Sequence, residues 1–275
     1  MAFSVNTNAS ALSALQNLNH STMELEQIQT RINTGLKVAS AKDNAAVYSI
    51  AQKLRGDLRG YNAVKQSIDR SISTADIALA AASSISDLLI EMKEKAVAAA
   101  DAGLDSESRT ALSQDFNALR DQITTIVANA EFNGTNLIDS GTDELVAITS
   151  PDGQQKVTIA HENLTLGGAN VVISATQSIT TITDATAAVT DVDDSLANVN
   201  AVLTRFGAGS KTLESQKVFA EKIADTIEVG IGNLVDADLA RESANLQSTQ
   251  VKQNLGVQAL SIANSAPQSI LNLFG

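Results

Sequence analysis

Between Ile50 and Ala96 the chain places an apolar residue every few positions without one proline: Ile50, Leu54, Leu58, Tyr61, Val64, Ile68, Ile72, Ala75, Leu79, Ala82, Leu89, Met92 and Ala96. Steps of three, four or seven residues keep such a stripe on one side of an α-helix. The stripe predicts one helix over about 44–100, on the order of 85 Å long at ~1.5 Å per residue. A helix of that length needs a bundle or coiled coil around it. The only prolines in the 275 residues are Pro151 and Pro267, so long helices are permitted nearly everywhere outside the middle.

The remaining segments sort around that helix. Leu12, Leu15, Leu18, Leu25, Ile28, Ile32 and Leu36 form an earlier stripe, ended by Ala39-Ser40-Ala41-Lys42-Asp43-Asn44 with its cap-type oxygens. After Asp101-Ala102-Gly103 a shorter antiparallel partner runs from Asp105 or Ser106 through Leu112, Phe116, Leu119, Ile123 and Ile126 to about 130. Asn133-Gly134 favours a tight turn, and short strands are expected at Leu145 to Ile148, Lys156 to Ala160 and Val171 to Ser174. Heptad-like order resumes from Val192 to Leu234 and predicts a second long helix over about 185–235. A last stripe carries Leu239, Leu246, Leu255, Ala259, Ile262, Ala266, Ile270 and Leu273, with Pro267 a local objection to helix. The expected fold is mainly α: a long antiparallel helical bundle or coiled coil with a small β-hairpin region mid-chain. Its expected divisions are 1–43, 44–184, 185–235 and 236–275.

Composition excludes several functions. Aromatics are 3% of the chain, and Ala, Leu, Ile and Val supply most of the apolar content, which suits slender helix seams better than a core with a deep pocket. Lys and Arg number 19 against 31 Asp and Glu, a formal charge of -12 that argues against nucleic acid as a partner. No run approaches the roughly 18 consecutive apolar residues of a membrane span. The start, Met1-Ala2-Phe3-Ser4-Val5-Asn6, has neither the basic nor the apolar region of a cleaved signal peptide. The absence of Cys removes disulfides and thiolate metal sites, and suits passage of an unfolded chain through a narrow channel.

Enzyme chemistry finds no purchase. His20 and His161 fall in different elements without a partner at metal-ligand spacing, so no metal or other cofactor is expected. Gly207-Ala208-Gly209-Ser210-Lys211-Thr212 superficially resembles a phosphate loop, but Gly does not directly precede Lys211 and a helix, not a strand, leads into it. Asp193-Asp194 and the pair Glu91 and Glu94 read as solvated helix faces. Four Asn-x-Ser/Thr acceptor patterns, at Asn8, Asn19, Asn133 and Asn163, are of a length that arises by chance.

Both ends of the chain are unusually uncharged: the first charged side chain is Glu24, and none follows Lys252. Bland amphipathic helices rich in Asn, Gln and Ser are unstable alone in water but order when packed on copies of themselves. At the N-terminal end stand Asn6-Thr7-Asn8, Ala11-Leu12-Ser13-Ala14-Leu15-Gln16, Arg31-Ile32-Asn33-Thr34-Gly35-Leu36 and Ser40-Ala41-Lys42-Asp43-Asn44-Ala45-Ala46. Further on come Glu131-Phe132-Asn133-Gly134-Thr135-Asn136-Leu137, Ala237-Asp238-Leu239-Ala240-Arg241-Glu242-Ser243, Gln258-Ala259-Leu260 and the run from Asn264 to Leu273. In this order, over about 1–140 and 185–275, these motifs closely resemble bacterial flagellin.

The resemblance implies a filament subunit without catalysis, whose main partner is itself in a helical homopolymer outside the cell. The terminal helices would form an inner tube, the long helices an outer one, and the β centre the exposed surface. It also implies an uncleaved type III export signal, an export chaperone, and hook-associated and cap proteins as partners, with no membrane insertion. Assembly contacts are then expected at Leu12, Leu15, Leu25, Ile28, Ile32, Leu36, Leu239, Leu246, Leu255, Ile262, Ile270 and Leu273. The family stretch read by animal innate receptors aligns with Glu91 to Val97. There this chain departs from the pattern, with Glu91 at the Arg position, Lys95 at the Leu position and Gln122 at a distant Glu position, which predicts weak recognition. Two other readings compete: a hook-filament junction protein that closes into a ring, and an adhesin that uses Leu145 to Ser174 as its ligand face.

Overall fold

The computed structural model describes residues 7–271, with side-chain surroundings through residue 265. Its elements are α1 (Ala9–Thr34), α2 (Ala45–Ala99), α3 (Ser106–Asn129), β1 (Glu131–Phe132), β2 (Thr135–Asn136), β3 (Leu145–Ile148), β4 (Lys156–Ile159), α4 (Ile182–Val235) and α5 (Leu239–Leu271). They divide between two compact units, one of residues 1–56 and 226–275 and one of residues 57–225.

Local chemistry explains where the helices begin and end. Asn8, Asn44, Asp105 and Asp238 each turn a side-chain oxygen to an N–H in the first turn of the helix that follows. Gly35 closes α1 in the left-handed region, at φ 70°. The sequence places the start of α4 near 185, whereas the helix begins at Ile182. A reciprocal cap accounts for the extra residues: the Thr181 hydroxyl accepts from the Asp184 N–H at 3.1 Å and donates to the Asp184 carboxylate at 2.6 Å.

In the 57–225 unit, α2, α3 and α4 bury the stripe read from the sequence: Val64, Ile68, Ala75, Ala82, Leu89, Met92 and Ala96 meet Phe116, Ile123, Val192, Val199 and Phe206. Cross-helix ion pairs set the directions. Lys93 meets Asp193 and Lys217 meets Asp69, so α2 and α4 run antiparallel, while Lys95 reaches Asp115 on α3. One stretch of α2 is apolar enough for a membrane span, but its stripe is buried in this core.

The β region is two antiparallel pairs, β1 with β2 around Asn133-Gly134, both at positive φ, and β3 with β4. Val171 to Ser174 is not the strand its alternation predicts. Val171 and Ile173 are fully buried, as the alternation requires, yet the Val172 N–H is taken by the Ser195 hydroxyl of α4 at 2.9 Å. Beyond a single bridge from Leu166 to Val171 it has no partner strand among the described residues. The β3–β4 hairpin is held by close approaches at two glycines: a Cβ at Gly60 would stand 2.5 Å from the Pro151 Cβ, and one at Gly209 2.8 Å from Ile159. Gly60→Ala is therefore expected to destabilise the protein by about 1–3 kcal/mol. Gly56→Ala, where nothing lies within 4 Å, should instead gain up to about 1 kcal/mol. Thermal melts of the two variants compare them directly.

Candidate assembly surface of the terminal helices

In the unit of residues 1–56 and 226–275, α1 and α5 lie antiparallel on one another. Every sheltered position of α5 between 239 and 265 falls at steps of three and four: Glu242, Leu246, Thr249, Gln253, Gly256, Leu260 and Ala263. The sheltered positions of α1 include Ala11, Ala14, Leu18, Ser21, Leu25, Ile28 and Ile32, in the same rhythm. Four contacts fix the direction. Arg31 Nη1 donates to Glu242 Oε1 at 3.2 Å, and Gln253 Nε2 donates to Thr22 Oγ1 at 3.4 Å. Leu18 lies over Gly256, where a Cβ would stand 3.3 Å from its Cδ1, and Asn8 Nδ2 donates to the Ala263 carbonyl at 2.8 Å.

At one end of this pair the chain backbone joins as well. Leu36 and Asp236 form an antiparallel bridge, with the Lys37 N–H donating to the Val235 carbonyl and the Ala237 N–H to the Gly35 carbonyl, each at 2.8 Å. The turn into α2 is closed by Asp43, whose carboxylate accepts from the N–H groups of Ala39 and Ser40 and from the Ser40 hydroxyl. The hydrogen bond from the Ser40 N–H, helped by the Arg31 charge, holds that carboxyl below its usual range.

The seam is thus largely small and polar on the α5 side apart from Leu246 and Leu260, and several larger apolar residues point away from it. Leu239, Leu255 and Ile262 are exposed, Ile262 by 70% and Leu255 by 58%, together with Val251 and Val257. On α1 the outward residues are Leu12, Leu15 and Met23. The residues read from the sequence as one set therefore separate into two. Leu25, Ile32, Leu36 and Leu246 are half-buried and Ile28 is buried, whereas Leu12, Leu15, Leu239, Leu255 and Ile262 face solvent. The Ile270 side chain and Leu273 lie outside the described residues. Sequence reading missed Glu242, Thr249, Gln253 and Gly256 because it followed apolar residues; their strict three-and-four spacing was the available signal.

The other candidates resolve as follows. Glu91 and Gln122 are exposed on α2 and α3, and Lys95, one turn beyond Glu91, is half-buried against Asp115 at 3.6 Å. Residues Gly207 to Thr212 lie within α4, so no loop exists there to cradle a phosphate. His161 stands 3.3 Å from Asp139, and among the described residues no cluster of His, Asp or Glu has the makings of a metal site.

The family model for the bacterial flagellin N-terminal helical region matches residues 5–143, and that for the C-terminal helical region matches residues 189–274. The chain is similar to flagellin FljM of Caulobacter vibrioides, 48% identical over 98% of each chain. Among solved structures, Bacillus cereus flagellin shares the fold at 18% identity, with a TM-score of 0.51 over 56% of this chain and 87% of that one. A Vibrio parahaemolyticus chain provisionally described as a flagellar hook-associated protein shares it at 15% identity, with a TM-score of 0.59 over 70% of this chain and 100% of that one.

Proposed function

Because the chain belongs to the bacterial flagellin family, we propose that the outward apolar residues of α1 and α5 are the surfaces through which copies pack into a filament. As a flagellin it is a structural subunit of the flagellar filament, an extracellular appendage, polymerises with itself, and is not an enzyme. The observation that carries the assignment of surfaces is the direction of the side chains. A helix pair that turns Leu12, Leu15, Leu239, Leu255 and Ile262 to water exposes area whose burial is favourable by about 25 cal/mol per Å².

In this reading segments 1–43 and 236–275 build the inner tube, and segments 44–184 and 185–235 the wall around it. The chain leaves the cell unfolded by the type III route, held beforehand by an export chaperone, and is bounded in the filament by hook-associated proteins at the base and a cap at the tip. The test is electron microscopy of purified protein after seeding. Long filaments of uniform width support the reading, and closed rings would move it to a hook-filament junction protein.

A finer expectation concerns recognition by animals. Glu91 puts a negative charge where the receptor-binding family pattern has Arg, which removes its ion pairs and adds repulsion. The chain should be a weak agonist, and Glu91→Arg should lower the half-maximal concentration in a receptor reporter assay by about tenfold, equivalent to ~1.4 kcal/mol. A full nanomolar response from the unaltered chain would remove this expectation.

A further inference from the structure

Pro267 lies inside α5, where it has no N–H to give. The carbonyl it would otherwise bond, four residues back, is that of Ala263. That carbonyl accepts instead from Asn8 Nδ2 at 2.8 Å, across 255 positions of sequence. The same side chain turns its Oδ1 to the first turn of α1, accepting from the Ala11 N–H at 3.0 Å and from the Ser10 hydroxyl at 2.7 Å. One amide thus satisfies a donor orphaned by the start of α1 and an acceptor orphaned by proline in α5.

We propose that Asn8 and Pro267 hold the register of α1 on α5 at the end of the pair far from the Leu36–Asp236 bridge. Ahead of its last turn, α5 has one carbonyl whose partner four residues on is a proline, and Asn8 selects it. The seam needs such a marker. A heptad rhythm lets one helix slip by seven residues and still bring apolar positions together. Toward this end Ala11, Ala14 and Ala263 are small, and Leu260 and the Leu18–Gly256 contact are what shape has to resist a slip. The Arg31–Glu242 pair marks the same register at the opposite end. Asn8 is a positioning residue: in the assembly reading, on which this inference rests, register decides which outward side chains a neighbouring copy meets.

The test is a two-by-two set of filaments read by critical concentration for polymerisation. Asn8→Ser keeps an oxygen to cap α1 but is too short to reach Ala263. It should raise the critical concentration about fivefold, equivalent to ~1 kcal/mol. Pro267→Ala returns an N–H to the Ala263 carbonyl, so in that background Asn8→Ser should change the value by less than about twofold. An equal loss in both backgrounds, or none in either, overturns the proposal. If the unaltered chain forms no filament, the assembly reading fails and the register is decided separately in the soluble chain, which has no native cysteine. With Asn8 present, a short bis-maleimide should bridge Ala11→Cys to Leu260→Cys in preference to Gln253→Cys, and Asn8→Ser should lower that preference severalfold. A preference unchanged by Asn8→Ser, or none with Asn8 present, overturns it.

Discussion

Leu255→Asp should leave the soluble chain folded and abolish filament growth. Leu255 is 58% exposed on α5, so an aspartate there stays hydrated in the single chain. On the proposed assembly surface the same position would lie between copies, and an unpaired carboxylate buried there would cost several kcal/mol, enough to raise the critical concentration by roughly a thousandfold. Ile28→Asp makes the informative comparison, because Ile28 is buried in the seam within the chain. That variant should lose polymerisation too, but by undoing the pairing of α1 with α5. Circular dichroism of the soluble forms beside sedimentation of polymer separates the two. Normal filaments from Leu255→Asp would remove it from the interface.

Arg109→Ala should markedly lower the stability of the 57–225 unit. The Arg109 guanidinium is buried between the end of α2 and the start of α3, where Nε donates to the Ala99 carbonyl at 2.8 Å and Nη2 to those of Asp101 and Leu104 at 2.8 and 3.2 Å. These carbonyls belong to the end of α2 and the turn after it, where no further turn of helix supplies donors. Truncation takes the side-chain donor from the Ala99 and Leu104 carbonyls and leaves the Asp101 carbonyl only the Leu104 N–H at 3.3 Å, at a total cost of about 3 kcal/mol. For a unit of this size that corresponds to a fall of roughly 10 °C in the midpoint of thermal unfolding. Arg109→Lys recovers a fraction of the loss, since one ammonium cannot span the three carbonyls. A midpoint within a degree or two of the unaltered chain would show that the turn is held by other contacts.

The contrast between these two sites marks how far the sequence could be read. The long stripe was legible because from Tyr61 to Ala96 its residues answer to a single core; Val64, Ile68, Leu89 and Met92 are all buried, whereas Ile50, before that core begins, is exposed. The start of α4 was misplaced because Thr181 and Asp184 carry no apolar signal, only a cap. Val171 to Ser174 showed the period of a strand, but period reports which side chains are buried, not what takes the backbone N–H; Ser195, far along the chain, decided that. In the terminal helices the apolar pattern was read as one surface. It is two, since one face of the pair meets its own partner helix, on α5 mostly through small or polar residues, and the other turns Leu12, Leu15, Leu239, Leu255 and Ile262 outward. A protein whose fold is completed by its own neighbours writes both contacts into one amphipathic pattern, and only the position of α1 separates them. Pro267, an objection to helix by itself, is accommodated where Asn8 takes up the carbonyl it leaves.

The most direct measurement of the central claim is a cryo-electron microscopy map of the filament at side-chain resolution, read for the surroundings of Leu255, Ile262, Leu12 and Leu15. The account predicts that all four, exposed in the single chain, are enclosed by apolar side chains of neighbouring copies, while Ile28 and Leu246 stay against their own chain. A filament in which Leu255 and Ile262 face open solvent, with copies joined through other surfaces, would contradict it.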